Sequence, residues 1–389
     1  MSRPLKIAML ITDARRPGGL HDGPVPSLGT APEALLQGFA GMAEVEIHVV
    51  SCVQQPVISP EKIAPNIFYH SLLVPKLGWL RTGYQGCVRA VRKKLRDLKP
   101  DVVHGQGTER GCAISAVFSG FPNVLTIHGN MRAIAPMVRA RIGDYYWLTA
   151  KLEAFALRRT GGVFCNSAYT ENLVAPLAPK TWRVPNALRR EFFNPPPPPK
   201  NRTGVPGLLN AGVLQPRKQQ LELLALARNL RRRGLKFELQ FAGDFTAETE
   251  YGVAFNRELA LAESAGYARN LGLLSAPQLI AALDAAAALV HFPTEEAFGL
   301  VVAEGLARNL KFFGAGVGGV VEIAGGVDGA ELFAPDDFIG LENALARWLA
   351  ADCPAPRQVA ETMRRRYHPE VIARRHLEIY REVLAGQCP

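Results

Sequence analysis

No run of apolar residues in the 389-residue chain approaches the ~18 that a helix needs to cross a bilayer, so no membrane-spanning segment is expected. Nor do residues 1–9 carry the pattern of a cleavable signal; the strand-like Lys6-Ile7-Ala8-Met9-Leu10-Ile11 stands there instead. The mature chain is therefore expected to begin at Met1 and to stay in the cytoplasm. Cysteine is scarce. Cys52, Cys87, Cys112, Cys165, Cys353 and Cys388 include no Cys-x-x-Cys pair and no accompanying His at zinc spacing, which favours reduced thiols over a metal site. Two motifs are also missing. Without Gly-x-x-x-x-Gly-Lys-Ser/Thr a P-loop ATPase is not supported, and without Asp-x-Asp nothing points to a bound cation.

What is present belongs to a globular protein. With 48% hydrophobic and 21% charged residues the chain can build one large or two ordinary domains, which excludes disorder, collagen and small disulfide scaffolds. The net charge of +10 is unevenly spread: residues 1–200 hold 25 Lys and Arg against 13 Asp and Glu, residues 201–389 hold 20 against 22. The two halves therefore differ in electrostatic character. Between them lies Pro195-Pro196-Pro197-Pro198-Pro199, whose residues lack backbone donors and hold an extended conformation. The expected division is a domain over 1–190, a linker over 191–206, a second domain over 207–366, and a terminal helix over 367–389 that returns to the first domain.

Short apolar runs alternate with amphipathic stretches on both sides of this linker. Lys6–Thr12, Val45–Val50, Asp101–His104, Asn123–Ile127 and Gly162–Cys165 read as strands upstream, and Leu208–Val213, Phe237–Ala242, Ala288–Phe292 and Lys311–Phe313 downstream. Helical segments such as Gln219–Arg233 and Pro277–Ala287 separate them. Two Rossmann-like β/α/β halves follow, each binding ligands at the carboxyl ends of its strands and facing the other across a cleft.

The most informative stretch is Pro293-Thr294-Glu295-Glu296-Ala297-Phe298-Gly299-Leu300-Val301-Val302-Ala303-Glu304. It leaves an apolar run and turns into a helix, so Glu296 falls in a loop at a strand's carboxyl end and the amides of Phe298, Gly299 and Leu300 near a helix N-terminus, a natural anion site. Glu304 follows eight residues on, ~12 Å along a helix. That is too far for the acid and nucleophile of a glycoside hydrolase, usually ~5 to 9.5 Å apart. Two carboxylates about two turns apart can instead touch different parts of one long ligand, such as a nucleotide sugar.

Here the sequence resembles the retaining GT-B glycosyltransferases of the large family-four, group 1 type, whose second domain carries a Glu, seven residues, Glu motif around Gly-Phe-Gly-Leu. Leu209-Asn210-Ala211-Gly212-Val213-Leu214-Gln215-Pro216-Arg217-Lys218, Phe241-Ala242-Gly243-Asp244 and Gly318-Gly319-Val320-Val321-Glu322-Ile323 resemble further second-domain segments of that family. Asp101-Val102-Val103-His104, Thr126-Ile127-His128-Gly129 and Val184-Pro185-Asn186 match the first domain more loosely, and Tyr367-His368-Pro369-Glu370 the closing segment. The resemblance implies that Glu304 binds the donor ribose, Glu296 the donor sugar, and Lys218, Arg217 and the amides of Phe298 to Leu300 the diphosphate. It also implies that His128 faces the donor sugar and that Gly18 and Gly19, with Gly29 as the alternative, lie in the loop approaching the diphosphate. Two departures stand out: Val213 replaces the usual diphosphate-binding Arg, and Arg308-Asn309-Leu310-Lys311 replaces small, Gly and Pro residues.

Gly314-Ala315-Gly316-Val317-Gly318-Gly319 fits the dinucleotide fingerprint, but Gly325-Gly326 arrives too soon for a full crossover helix. Arg81 to Lys99 reads as a basic amphipathic helix, either a solvated face or a patch that rests on an anionic membrane surface or steers an anionic acceptor; nucleic acid is not expected, since no binding module accompanies the charge. The expectation is thus a retaining, metal-independent, hexosyltransferase-like enzyme without a cofactor. It would move a sugar from a nucleotide to a glycan, glycolipid or lipid-linked acceptor in cell-envelope polysaccharide synthesis, in the cytoplasm and peripheral to the inner face of the plasma membrane. The alternatives are a same-fold nucleotide-sugar epimerase or hydrolase, and a catalytically degenerate nucleotide-sugar-binding protein.

Overall fold

The structure, a computed structural model, describes residues 3–15, 23–195, 204–244, 249–356 and 359–386. Two compact units are formed, one by Met1–Arg189 with Tyr367–Pro389 and the other by Arg190–Arg366. Each is an α/β unit around one sheet.

The first sheet comprises β1 (Leu5–Leu10), β2 (Val45–Val53), β3 (Lys62–Ala64), β4 (Ile67–Leu73), β5 (Val102–Gln106), β6 (Asn123–Ile127), β7 (Val163–Cys165) and β8 (Thr181–Arg183). They lie in the order β3-β4-β2-β1-β5-β6-β7-β8, parallel except for the pairing of β3 with β4. The central strands are largely buried on both faces, which is why they read as mostly apolar runs. Interleaved with them are α1 (Thr30–Phe39), α2 (Gln85–Leu98), α3 (Gly111–Val117), α4 (Met131–Met137), α5 (Tyr145–Leu157) and α6 (Ala168–Val174). Val88, Val91 and Leu95 of α2, Ile114 of α3 and Ala156 of α5 share one core with Leu10, Val103 and Leu125. The helical spacing of the α2 positions turns Arg89, Arg92, Lys93 and Arg96 outward.

The second sheet, β9 (Gly207–Ala211), β10 (Glu238–Ala242), β11 (Ala268–Gly272), β12 (Ala288–His291), β13 (Lys311–Ala315) and β14 (Ala330–Phe333), is wholly parallel in the order β11-β10-β9-β12-β13-β14. Its helices are α7 (Gln220–Arg232), α8 (Glu250–Ser264), α9 (Ala276–Ala285), α10 (Leu300–Ala307), α11 (Gly319–Ala324) and α12 (Phe338–Ala350), with α13 (Val359–Tyr367) closing the unit. The fingerprint-like Gly314–Gly319 leads into α11, six residues long and too short for a crossover helix. At the other end of the unit, Arg190–Phe193, which straddle the expected start of the linker at 191, form a 3-10 turn that buries Phe192 and Phe193. Residues 196–203 of the expected linker lie outside the described residues.

The last helix, α14 (Pro369–Ala385), packs against α1 in the first unit. Proline at its first turn wastes no donor. Its His376 ring stacks on Phe164 at 4.5 Å, and Tyr380 stacks on Phe39. A Cβ on Gly38 would lie 2.1 Å from the Pro369 carbonyl oxygen, so only glycine lets the two helices approach this closely.

Candidate active site

In the second sheet the chain runs outward from β9 through β10 to β11, then returns to place β12 on the other side of β9. Loops leaving the carboxyl ends of β9 and β12 therefore diverge and open a crevice. Every described second-unit residue implicated by the resemblance lies on one of these loops or on α10.

The two loops are stitched together through the backbone. Thr294 N–H donates to the Arg217 carbonyl at 2.8 Å, the Arg217 guanidinium to the Glu295 carbonyl at 3.2 Å, and Gln219 Nε2 to the Phe292 carbonyl at 2.8 Å. This brings Lys218 Nζ onto Glu296 Oε2, which also accepts from His291 Nε2 at 3.1 Å. The three side chains are 12%, 15% and 2% exposed, respectively. Burial alone would raise the Glu296 pKa, but the His291 hydrogen bond and the Lys218 charge outweigh it and hold the carboxyl well below its ordinary range. Desolvation, followed by the Lys218 charge, lowers His291, so the neutral ring donates its Nε2 proton. Lys218 is lowered too, by desolvation and by Arg217, against the pull of Glu296.

Glu296 ends where α10 begins. Gly299 caps that helix at φ 100°, and its carbonyl accepts from Val302 at 3.0 Å. The loop is pinned from behind by Gly319, whose N–H donates to the Glu296 carbonyl at 3.1 Å. An ammonium with three donors, of which Glu296 needs one, thus stands at the same loop as the amides of a helix N-terminus. Such an arrangement can grip a sugar hydroxyl and an adjacent phosphate. Phe298 is buried, Leu300 half-buried, and Glu304, one turn into α10, is 3% exposed.

Neither departure from the family pattern disturbs this geometry. Val213 stands 55% exposed just beyond β9. Arg308 is structural. Its Nε and Nη2 form a two-pronged pair with Asp284 of α9, both at 2.7 Å, and Nη1 donates to the Phe192 carbonyl at 3.2 Å.

In the first unit, His128 follows β6. Its Nε2 meets Gln106 Oε1 at 3.0 Å, and its Nδ1 is buried without a hydrogen bond. Desolvation holds its pKa low, against Glu109 and Asn186. Gly18 and Gly19 lie outside the described residues. The arginine preceding them, Arg15, is fully engaged: it pairs with buried Asp13 at 2.7 Å and donates to the carbonyls of Gly23, Pro24 and Ile58. Tyr69 Oη completes the knot on Asp13 at 2.6 Å. The sequence did not single out His291, Asp13 or Tyr69; the only signal for His291 was a lone polar residue closing an apolar strand.

Comparison with known proteins agrees with this architecture. Residues 33–191 match the family model Glycosyltransferase Family 4, and residues 196–366 match Glycosyl transferases group 1. No curated protein matches the sequence. Among solved structures, sucrose-phosphate synthase from Thermosynechococcus elongatus shares 18% identity and a TM-score of 0.76, over 98% of this chain and 100% of that one. The Anabaena protein HepE in complex with UDP-glucose shares 15% and 0.72 over 97% and 100%. For the α,α-trehalose 6-phosphate synthase of Burkholderia multivorans the values are 12% and 0.68 over 99% and 100%. With the two family matches running in succession across most of its length, and with two parallel-sheet units in the GT-B manner, the chain belongs to the family-four, group 1 glycosyltransferases.

Proposed function

We propose that this glycosyltransferase moves a sugar from a nucleoside diphosphate to a hydroxyl of a glycan or lipid-linked acceptor, with retention of configuration and without a metal. The observation that carries the reading is the Lys218–Glu296–His291 group at the strand-order reversal beside the start of α10. Departure of a nucleoside diphosphate builds negative charge, and Lys218, Arg217 and the amides of 298–300 are the groups to receive it. Glu296, neutralised by Lys218 and held by His291, takes a sugar-binding role rather than a nucleophile's. Glu304 takes the ribose. His128 keeps the sugar-facing role that the resemblance implies; with Nε2 engaged by Gln106, the ring has Nδ1 to offer. The UDP-glucose complex of the similar Anabaena protein supports a nucleotide-sugar donor. The acceptor and a place on the cytoplasmic face of the membrane belong to the same proposal, the latter resting on the exposed cations of α2; no helix among the described residues is long and apolar enough to cross a bilayer.

Lys218→Ala and Glu304→Ala are each expected to weaken nucleotide binding about tenfold or more, since each removes a charged partner worth roughly 1.5–3 kcal/mol. Calorimetric titration with a panel of nucleoside diphosphates and their sugars checks this, and unchanged affinity in both variants rejects the site. Incubation with donor alone separates transfer from epimerisation or hydrolysis, which need no acceptor.

Val213 favours a second reading, a binding protein that has lost its activity, because the position is exposed and carries no cation. Under the transferase reading Val213→Arg adds a phosphate partner and tightens donor binding about tenfold. A wild-type chain whose melting point nucleotide sugars raise but which consumes none of them with any acceptor supports the second reading instead.

A further inference from the structure

The α4–α5 hairpin, which begins three residues after His128, exposes an apolar tip. Met137 is 52% exposed, Val138 46%, Ile142 86%, Tyr145 41% and Tyr146 36%. Ordinary surface economy does not put five such side chains within ten residues. The tip is also well built. Buried Glu153 accepts from Thr108 Oγ1 at 2.5 Å and from the amides of Met131 and Arg132 at 3.0 and 3.1 Å, which closes the start of α4. Asp144 accepts from the amides of Arg141 at 2.6 Å and Trp147 at 2.8 Å, which closes the start of α5. Apolar groups are thus held outward on a frame whose two helix starts are closed by Glu153 and Asp144.

The charges around the tip are cationic. Arg132, Arg139 and Arg141 are exposed within and beside it, while the acidic Asp144 is spent on capping. The same side of the sheet carries α2 and α5, which share a core, and their exposed cations Arg89, Arg92, Lys93 and Arg96, together with Lys151 and Arg158. This is where the excess positive charge of the first 200 residues is displayed. Apolar residues at a tip, tyrosines and Trp147 behind them and arginines alongside form the layering of a segment that lies in a bilayer interface, with the cations reaching phosphates.

We infer that the α4–α5 hairpin inserts its tip, Met137 to Ile142, into the interfacial layer of an anionic bilayer, while the exposed cations of α2 and α5 hold that side of the first unit against the lipid phosphates. Cations alone give reversible, salt-sensitive adsorption; an inserted apolar group supplies the second contact that stable attachment requires. This deepens the membrane part of the function proposed above, but does not depend on the donor site.

Flotation of the full chain with vesicles of phosphatidylcholine, alone or with about 30% phosphatidylglycerol, tests it. The chain is expected to float with the anionic vesicles only. Met137→Asp with Ile142→Asp should reduce the floating fraction about tenfold or more, because both positions are exposed and the change acts on the bilayer contact rather than the core. Charge reversal at Arg89, Arg92, Lys93 and Arg96 should reduce it as well. Melting point and nucleotide affinity are measured on every variant and should stay at their wild-type values, so that failure of the donor site and failure of the hairpin are told apart. The inference is overturned if the wild type does not float, if only the α2 variant loses binding, or if the hairpin variant alters self-association in solution while floating as the wild type does.

Discussion

Lowering the pH from 7.5 to 5 is expected to destabilise the first unit by several kcal/mol through its buried histidines. Burial pushes His376 down to about 4, holds His104 well below its ordinary value and lowers His128. Each favours its neutral form: His104 is spanned by Tyr380 Oη at 2.6 Å and Thr126 Oγ1 at 2.7 Å, and His376 donates Nδ1–H to the Ile372 carbonyl. An unfolded histidine takes up a proton near pH 6.5, whereas these folded ones do not, so stability is full above 6.5 and falls as acid is added. For His376 alone the interval from 6.5 to about 4 corresponds to about 3 kcal/mol, of which about 2 is lost by pH 5. Asp13 and Asp101 of the same unit are shifted downward and lose their contributions only below about pH 4, whereas buried Glu153, raised by desolvation, takes up its proton earlier and partly offsets the histidines. Differential scanning calorimetry across this range checks the point. His376→Gln should flatten the dependence, and a melting profile that is level from 7.5 to 5 in the wild type would show these rings to be charged in the fold.

Gly319→Ala should cost the second unit about 2–4 kcal/mol and abolish tight donor binding. The added Cβ would lie 2.6 Å from both Cα and O of Phe298 and 2.7 Å from the Ala297 carbonyl, all of them backbone atoms that cannot rotate away. The loop would have to move off, breaking the hydrogen bond from Gly319 to the Glu296 carbonyl and carrying Glu296 away from Lys218. For a unit of this size the loss corresponds to about 5–15 °C in melting temperature. Gly316→Ala is the control: its Cβ would meet nothing nearer than the Phe333 carbonyl at 3.5 Å, so its melting point should change little. Equal effects of the two substitutions would mean that the contact with Phe298 does not set the cost.

The two-unit α/β architecture was legible because the inner strands are mostly apolar; β6 falls on Asn123–Ile127, the boundaries its composition suggested. The strands that escaped reading lie toward sheet edges. β4 carries His70 and Ser71 in its second half, β11 reads Ala-Arg-Asn-Leu-Gly, and β8 has three residues, so none offers an apolar run to find. For the candidate site, Glu296 and the Phe298–Leu300 turn could be picked out locally, since loop and helix start adjoin in the chain. The pairing of Lys218 with Glu296 could not, because 78 residues separate them and only the strand order sets β9 beside β12. Arg308 shows the reverse failure: it read as a flaw in the motif, and the reason for it, Asp284, sits on the preceding helix.

The packing of α14 against α1 has a temporal consequence. Residues 1–189 leave the ribosome long before 369–385, separated by the whole of the other unit, and at ~5–20 residues per second that interval is roughly ten to forty seconds. Throughout it Phe39 and Phe164 lack the aromatic rings that cover them in the finished protein. The second unit, being contiguous, can mature as it is synthesised, so nascent chains should reach the order of folding opposite to the order of translation, with the earlier-made half the natural client of a chaperone.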